Sequence, residues 1–393
     1  MTRAAAARPD AIRRHNLGLL LGEVHRDGPL TRAELTSRLN LSRSTIGALV
    51  ADLRELAILD ERVPNGGKRA GRPSHVVAPR SDGPYAIAVD IDIGRVTSAA
   101  VGVGGEVLAR NEVASASRPE IVVGHVVDAC RTLSGQVDEG AWPVGIGVSV
   151  PGTVNRRDGL IEFAPNLDWR HAAFGSMLGA RTPRELAVGI GNDADLAVLA
   201  EHLRGHGRDC DDVIYLMGRV GVGAGIIVNG SPLHGHDGYA GEVGHNVVDP
   251  SGPLCHCGKR GCIETYVGEA ALLDLAGCRA APTVEAVAAV FTAAAAGDSA
   301  AAAAVRTVGE SLGRAVAGLV NVLNPQRVIL GGSFAGVYEF APECVEHAVA
   351  ANTMTRQRAG VQLCAPALGD DSSLLGAAEL AFAGLLADPS GRR

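Results

Sequence analysis

The sequence predicts an α/β protein of two related lobes, preceded by a small helical head with a β wing. Three observations carry that expectation. Residues 1–80 hold 14 Lys and Arg against 8 Asp and Glu, whereas the remainder holds 22 against 35, so a basic head precedes an acidic body. Apolar spacing is helical in the head and changes to short apolar strands from Tyr85 onward. A strand, Gly-rich turn, strand pattern then occurs twice, opening at Tyr85 and at Val213, as expected of a duplicated lobe.

Composition sets the outer limits. At 393 residues the chain is long enough for two or three domains. Apolar residues make up 47% and aromatics only 3%, so the core must be built mainly from Ala, Val and Leu. No run of about 18 uncharged apolar residues is present; the Ala-rich stretch from Ala294 to Ala304 is interrupted by Asp298 and reads as a helix pair. The opening MTRAAAARPDAIRRH has no apolar h-region of a secretory signal. Eight cysteines, three of them clustered, suit a reducing compartment better than a disulfide framework, so a cytoplasmic protein without membrane contact is expected.

The head comes first. Leu17, Leu20, Leu21 and Val24 follow helical spacing, and Asp27-Gly28-Pro29 stops that helix. Thr31 caps a short second helix through Leu39, Asn40-Leu41 turns the chain, and Ser42 caps a third helix through about Leu56. Ile46, Leu49 and Leu53 should face the core, leaving Arg43, Ser44 and Thr45 at its exposed start. In a helix-turn-helix those are the positions that meet base edges in a major groove. A protein-binding helical subdomain is the competing reading. The strand ILDERV, the turn Asn65-Gly66-Gly67 and the strand after it would form the wing. Lys68, Arg69 and Arg72 flank Gly71 before Pro73; a narrow basic element entering a minor groove and a solvated basic linker are both open readings.

In the body, YAIAVDIDIGRVTSAAVGVGG places Asp90 and Asp92 near a Gly turn, an arrangement that can present a carboxylate and backbone amides to phosphates. Next, Pro151-Gly152 ends a buried strand, and Pro165-Asn166-Leu167 leads to Trp169, polar groups beside an apolar face that suit a polyhydroxylated ligand. In VGIGNDADLAVLAE the strand ends at Gly191, and Asn192-Asp193 stand where a helix begins. Asp193 is then either a base at the carboxyl end of a strand or a plain N-cap. The second Gly-rich turn runs from Gly218 to Gly225, and Gly331-Gly332 follows a late strand.

The densest signal is HNVVDPSGPLCHCGKRGCIE at 245–264. It sets His245, Cys255, Cys257 and Cys262 in a His-x9-Cys-x-Cys-x4-Cys pattern, with Gly258 and Gly261 between the thiols. One imidazole and three thiolates satisfy tetrahedral structural Zn²⁺ and leave no open position for a catalytic water.

Together these residues resemble the ROK family, named for repressors, open reading frames and kinases, over essentially the whole chain. CHCGKRGCIE at 255–264 is similar to the family's CxCGxxGCxE, and GYAGEVGH at 238–245 to its GExGH segment. The resemblance implies a two-lobed actin-like, sugar-kinase (ribonuclease H-like) ATPase fold behind a winged helix-turn-helix domain. The expected boundaries are 1–80 for the head and basic linker, 81–195 for the first lobe and 196–393 for the second, with the C-terminal helix returning to the first. It implies zinc on His245, Cys255, Cys257 and Cys262. It implies sugar contacts from Asn166, Asn192, Asp193, Glu242, His245 and Glu264 in the cleft between lobes, with Asp193 as the base wherever phosphoryl transfer occurs.

The chain departs from the family's kinases at both phosphate turns. Where they read DIGGTK, it has Asp92-Ile93-Gly94-Arg95-Val96-Thr97, losing a Gly and a hydroxyl. Where they read GTGxGGG, it has Arg219 to Gly225 with Val220 in place of the hydroxyl, while Gly221 and Gly223 remain. Phosphoryl transfer depends on positioning at such loops. The changes therefore argue against ATP use and for a sugar-responsive regulator, a repressor, that binds operator DNA as a homodimer or homotetramer. A sugar kinase with a DNA-binding head is the alternative.

Overall fold

The computed structural model describes residues 9–62, 75–354 and 360–391. In the head, helix α1 (Pro9–Asp27) buries Leu17, Leu20, Leu21 and Val24 and stops at Gly28, which has φ 76°. After β1 (Leu30–Thr31), Thr31 closes a capping box on α2 (Arg32–Leu39). Its hydroxyl accepts from Glu34 N at 3.2 Å, and Glu34 Oε2 accepts from Thr31 N at 2.7 Å. Asn40 turns the chain in a left-handed conformation, and Ser42 caps α3 (Arg43–Glu55) by accepting from Thr45 N at 3.1 Å. Ile46, Leu49, Val50 and Leu53 are the buried stripe of α3. Strands β2 (Leu59–Arg62) and β3 (Val76–Pro79) pair antiparallel, with β1 on the other side of β3. The expected wing turn at Asn65-Gly66-Gly67 and the cations Lys68, Arg69 and Arg72 lie outside the described residues.

The body begins with β4 (Pro84–Asp92), β5 (Arg95–Gly102) and β6 (Val107–Ala114), followed by α4 (Pro119–Ser134) and β7 (Trp142–Val150). The chain then makes a small antiparallel sheet of β8 (Thr153–Asn155), β9 (Leu160–Ala164) and β10 (Trp169–Ala172), with a 3-10 turn at Pro165–Leu167. Helix α5 (Phe174–Gly179) and strand β11 (Ala187–Asn192) complete a five-stranded sheet of order β11-β7-β4-β5-β6. After α6 (Asp193–Arg204) come β12 (Val213–Gly218), β13 (Val222–Val228) and β14 (Ser231–Pro232), then α7 (Glu264–Val267), α8 (Glu269–Leu275), α9 (Val284–Ala295) and α10 (Ser299–Leu323). Strand β15 (Arg327–Gly332), helices α11 (Ser333–Phe340) and α12 (Pro342–Asn352), β16 (Gln362–Cys364) and helix α13 (Ser372–Ala387) end the fold. The second five-stranded sheet runs β14-β13-β12-β15-β16. Each sheet thus opens on an antiparallel hairpin, β4–β5 in one and β12–β13 in the other, and β12 pairs parallel with β15.

Two compact units result. One comprises residues 1–149, 173–190 and 377–393, the other 150–172 and 191–376. These divisions differ from the expected boundary at 195 because the β8–β10 excursion packs with the later half of the chain. The head falls in the same unit as the first sheet, and the end of α13 joins them there. In the second unit α10 buries Val305, Val308, Leu312, Val316 and Val320, spaced along one helix face. Asp298 separates α9 from α10 as read from sequence, capping α10 by accepting from Ala301 N at 2.9 Å. No single helix among the described residues is long and apolar enough to cross a membrane. The α9–α10 pair is apolar enough in composition but is bent by 110°.

Candidate functional site

A pocket of about 740 Å³, its open mouth included, lies within the second unit. Strand β11 delivers Asn192 and Asp193 to it, and the division of labour between them is clear. Asn192 is the N-cap of α6: its Oδ1 accepts from Ala194 N at 2.9 Å and Asp195 N at 3.1 Å, and its Nδ2 donates to Gly152 O at 3.0 Å. Asp193 is the first helical residue, buried, with Oδ1 accepting from Ala194 N at 2.9 Å. The capping alternative for Asp193 is therefore taken by its neighbour.

The other walls come from loops. Asn166 stands on the 3-10 turn before β10, and Glu242 precedes a second 3-10 turn at Val243–His245. Glu264 opens α7, and its Oε2 accepts from Val222 N at 3.2 Å, tying it to the β12–β13 turn. At that turn a Cβ on Gly221 would sit 3.1 Å from Glu264 Oε2 and 3.5 Å from Asn166 Nδ2. All six side chains expected to meet hydroxyls, Asn166, Asn192, Asp193, Glu242, His245 and Glu264, line this one pocket, and so do Gly221 and Gly223. Burial pushes the Glu242 carboxyl up; His245 pulls it back and Glu264 adds to the rise.

His245, Cys255, Cys257 and Cys262 bring their ligand atoms within 4.8 Å of one another. Cys255 Sγ lies 3.6 Å from His245 Nδ1, and Cys257 Sγ lies 3.6 Å from Cys262 Sγ. Tetrahedral zinc with thiolate and imidazole ligands has ligand–ligand edges of about 3.5–3.8 Å, so the donor set fits a metal ion in number, type and spacing. Burial pushes Cys255 up to about 12 and Cys262 upward too, whereas Cys257 is lowered, against its own burial, by hydrogen bonds from the Lys259 backbone and the neighbouring thiols. The loop is built tightly: Gly261 has φ 68° and its Cα faces Asp249 O so closely that a Cβ would lie 1.5 Å from that oxygen. Nδ1 of His245 faces the thiols. Nε2 is therefore the ring nitrogen left for a ligand.

Other expectations fare differently. Trp169 does not offer a stacking face: it is 2% exposed, paired against Ala164 in the β9–β10 ladder. Phe163 lines the pocket instead, with the Arg170 guanidinium 4.5 Å from its ring centroid. Thr153 and Met217 also line the pocket and carried no motif, and so do Arg219 of the second Gly-rich turn and His256 between Cys255 and Cys257. Asp92 and Gly94 lie in the first unit, at the β4–β5 turn, where Asp92 Oδ1 accepts from Ile93 N at 2.7 Å. Val96 is buried in that unit's core, and Arg95 reaches Glu112 at 4.0 Å.

In the head, Arg43 and Ser44 are exposed and Thr45 is half-buried. The hydroxyls of Ser44 and Thr45 both lie 2.8 Å from Ser42 Oγ. Many head cations are already neutralised: Arg13 by Asp52 at 2.6 Å, Arg26 by Glu23 at 2.6 Å, Arg32 by Glu61 at 2.7 Å, and Arg38 by Glu23 and Asp27. Among the described residues, Arg43 at the start of α3 makes no such ion pair.

Comparison with known proteins follows the same division. The ROK family model matches residues 86–383. The xylose repressor of Bacillus subtilis (strain 168) is 27% identical over 370 residues, spanning 93% of this chain and 94% of that protein. The glucokinase of Thermotoga maritima is 33% identical over 264 residues, spanning 62% of this chain and 81% of that protein. A crystal structure of a ROK family transcriptional regulator, homolog of E. coli MLC protein, superposes with a TM-score of 0.78 at 26% identity. It covers 96% of this chain and 98% of that one.

Proposed function

The chain belongs to the ROK family, and from that premise we propose that it is a transcriptional regulator, a repressor of carbohydrate genes, whose hold on operator DNA is set by a sugar. One observation carries the sugar part: six polar side chains from four separate segments converge in one pocket, and one of them belongs to the His/Cys cluster. Carboxylates at Asp193, Glu242 and Glu264 accept from hydroxyls, Asn166 supplies donors and acceptors, and Phe163 offers an apolar face. Zn²⁺ on His245, Cys255, Cys257 and Cys262 would supply rigidity: with Nδ1 committed, the imidazole is oriented so that Nε2 meets a hydroxyl.

The DNA part is supported by the capped helix-turn-helix and by relatives named as xylose repressors that span 93% and 96% of this chain, whereas two glucokinases span 62% and 73% of it. Arg43, Ser44 and Thr45 would enter a major groove, and the wing cations Lys68, Arg69 and Arg72 would contact the flanking minor groove or backbone. A homodimer or homotetramer in the cytoplasm would match a two-fold operator. Sugar changes operator affinity only by binding two states unequally, with typical couplings of about 1–3 kcal/mol.

Titration calorimetry with D-xylose, D-glucose and N-acetyl-D-glucosamine tests the reading when combined with gel shifts on the DNA upstream of the chain's own gene. A sugar that binds and shifts DNA affinity is expected. Sugar binding without any effect on DNA, or no binding by the panel, overturns it. The buried Asp193 in the pocket and the glucokinase similarity favour one other reading, a sugar kinase with ATP. Phosphorylation of a hexose that disappears in Asp193→Asn would establish it.

A further inference from the structure

We propose that α13 is the element that couples the pocket to the head, with His25 and Glu379 as its joint; this rests on the sugar-responsive reading above. Residues 372–376 of this single helix belong to the unit that contains the pocket, and residues 377–387 to the unit that contains the head. The helix is about 24 Å long at 1.5 Å per residue, a stiff rod on that scale.

Its first turn is fastened to α6, the helix that opens with Asp193. Ser373 Oγ donates to the Asp193 carbonyl at 3.1 Å, both groups buried. Gly376 lies against the α6 backbone so closely that a Cβ would be 1.9 Å from Leu196 O. At the far end of α6 the fully buried Glu201 carboxylate accepts from Leu368 N at 2.8 Å and Ser372 Oγ at 3.2 Å, while its other oxygen accepts from His206 N at 2.8 Å. A buried carboxylate so engaged holds the start of α13 in place, because pulling either partner away leaves a charge unsatisfied.

The second half of α13 is fastened to the head. His25, near the end of α1, lies 2.8 Å from Glu379 Oε2, and both side chains are 4% exposed. Gly104 N donates to His25 Nδ1 at 3.1 Å, so the proton sits on Nε2 and the ring donates to the Glu379 carboxylate. The Phe382 ring meets the imidazole edge-on at 4.9 Å between centroids. One helix turn further, a Cβ on Gly18 of α1 would be 2.5 Å from Leu386 O. An apolar pair would pack here as stably. What the buried, directional pair adds is a fixed axial register between α13 and α1. Movement of Asp193 on ligand binding would thus be passed along α13 to the helix that packs beneath α3.

Hydrogen exchange by mass spectrometry on the full chain tests the coupling without sugar or DNA. Ser373→Ala, in the pocket unit, is expected to speed exchange of α1 amides in 17–27 about fivefold relative to α10. That is the factor for losing one buried hydrogen bond of about 1 kcal/mol. Ser373→Thr, which keeps the hydroxyl, should restore wild-type exchange. In the reverse direction Glu379→Gln should speed exchange at 193–197 by a similar factor, since coupling is reciprocal. Acceleration confined to the unit that carries each substitution, or equal acceleration in α10, overturns the proposal. Either result removes this route and leaves the regulator reading to its own sugar titration.

Discussion

Asn192 gives the sharpest test of how the pocket is built. Its Oδ1 serves two backbone amides of α6 and its Nδ2 holds the Gly152 carbonyl, so most of its bonding capacity is spent on the protein. Asn192→Ser keeps the cap and loses the Gly152 bond, at a cost of about 1 kcal/mol. Asn192→Ala loses the cap as well, which adds about 1 kcal/mol. For the compact unit that carries Asn192, residues 150–172 and 191–376, each kcal/mol lowers the melting midpoint by about 2–4 °C. Differential scanning fluorimetry should therefore show a drop of about 2–4 °C for Ser and about 4–8 °C for Ala. Calorimetry with the best-binding sugar should show Asn192→Ser within about tenfold of wild type, because only one amide hydrogen is free for a hydroxyl. Equal midpoints for Ser and Ala would mean that the cap contributes nothing. An unshifted midpoint with sugar binding abolished would make Asn192 a ligand contact first, and the reasoning would be wrong.

Other outcomes are equally open to measurement. Chelation or Cys257→Ser should remove bound zinc, read by atomic absorption, and weaken sugar binding at least tenfold; unchanged affinity in a zinc-free protein would detach the cluster from the pocket. Arg43→Ala should weaken binding to the operator much more than to random duplex, whereas equal losses would assign Arg43 to the phosphate backbone. Asp195 is pushed up to about 7 by burial, against the pull of Arg156, with Asp193 and Glu242 adding to the rise. Its folded-state value lies above the ordinary 3.8, so ionisation disfavours the folded state, and the penalty grows as pH rises from about 4 to about 7. Asp195→Asn should thus gain stability over wild type through that window, by about 4 kcal/mol at most, and run parallel to it above. A gap that narrows with rising pH would contradict the burial of this carboxyl.

Much of this protein was legible without coordinates. Helix caps are local chemistry, so Thr31, Ser42 and Asp298 announced three helix starts that the structure places at the same residues. The His245, Cys255, Cys257 and Cys262 cluster falls within 18 residues and carries its own spacing, which is why four donor atoms within 4.8 Å were expected from the pattern alone. The pocket set was legible by resemblance rather than by spacing, since Asn166 and Glu264 are far apart in sequence.

What sequence could not decide was which side chain faces which way once the segments packed. Trp169 and Phe163 lie on paired strands, and only the packing of the β8–β10 sheet sends the first into the core and the second to the pocket. Asn192 and Asp193 are neighbours of similar capping ability, and the extended backbone at Asn192 (φ −67°, ψ 144°) makes it the cap, with its Nδ2 held on Gly152 O. His25 and Glu379 are 354 residues apart and each looks ordinary in its own helix. Local propensity fixes where elements begin and end; contacts between distant segments are set by how whole faces bury. The amino-acid order therefore determined the elements, the His/Cys cluster and the family, while tertiary packing alone decided the walls of the pocket and the contact between α1 and α13.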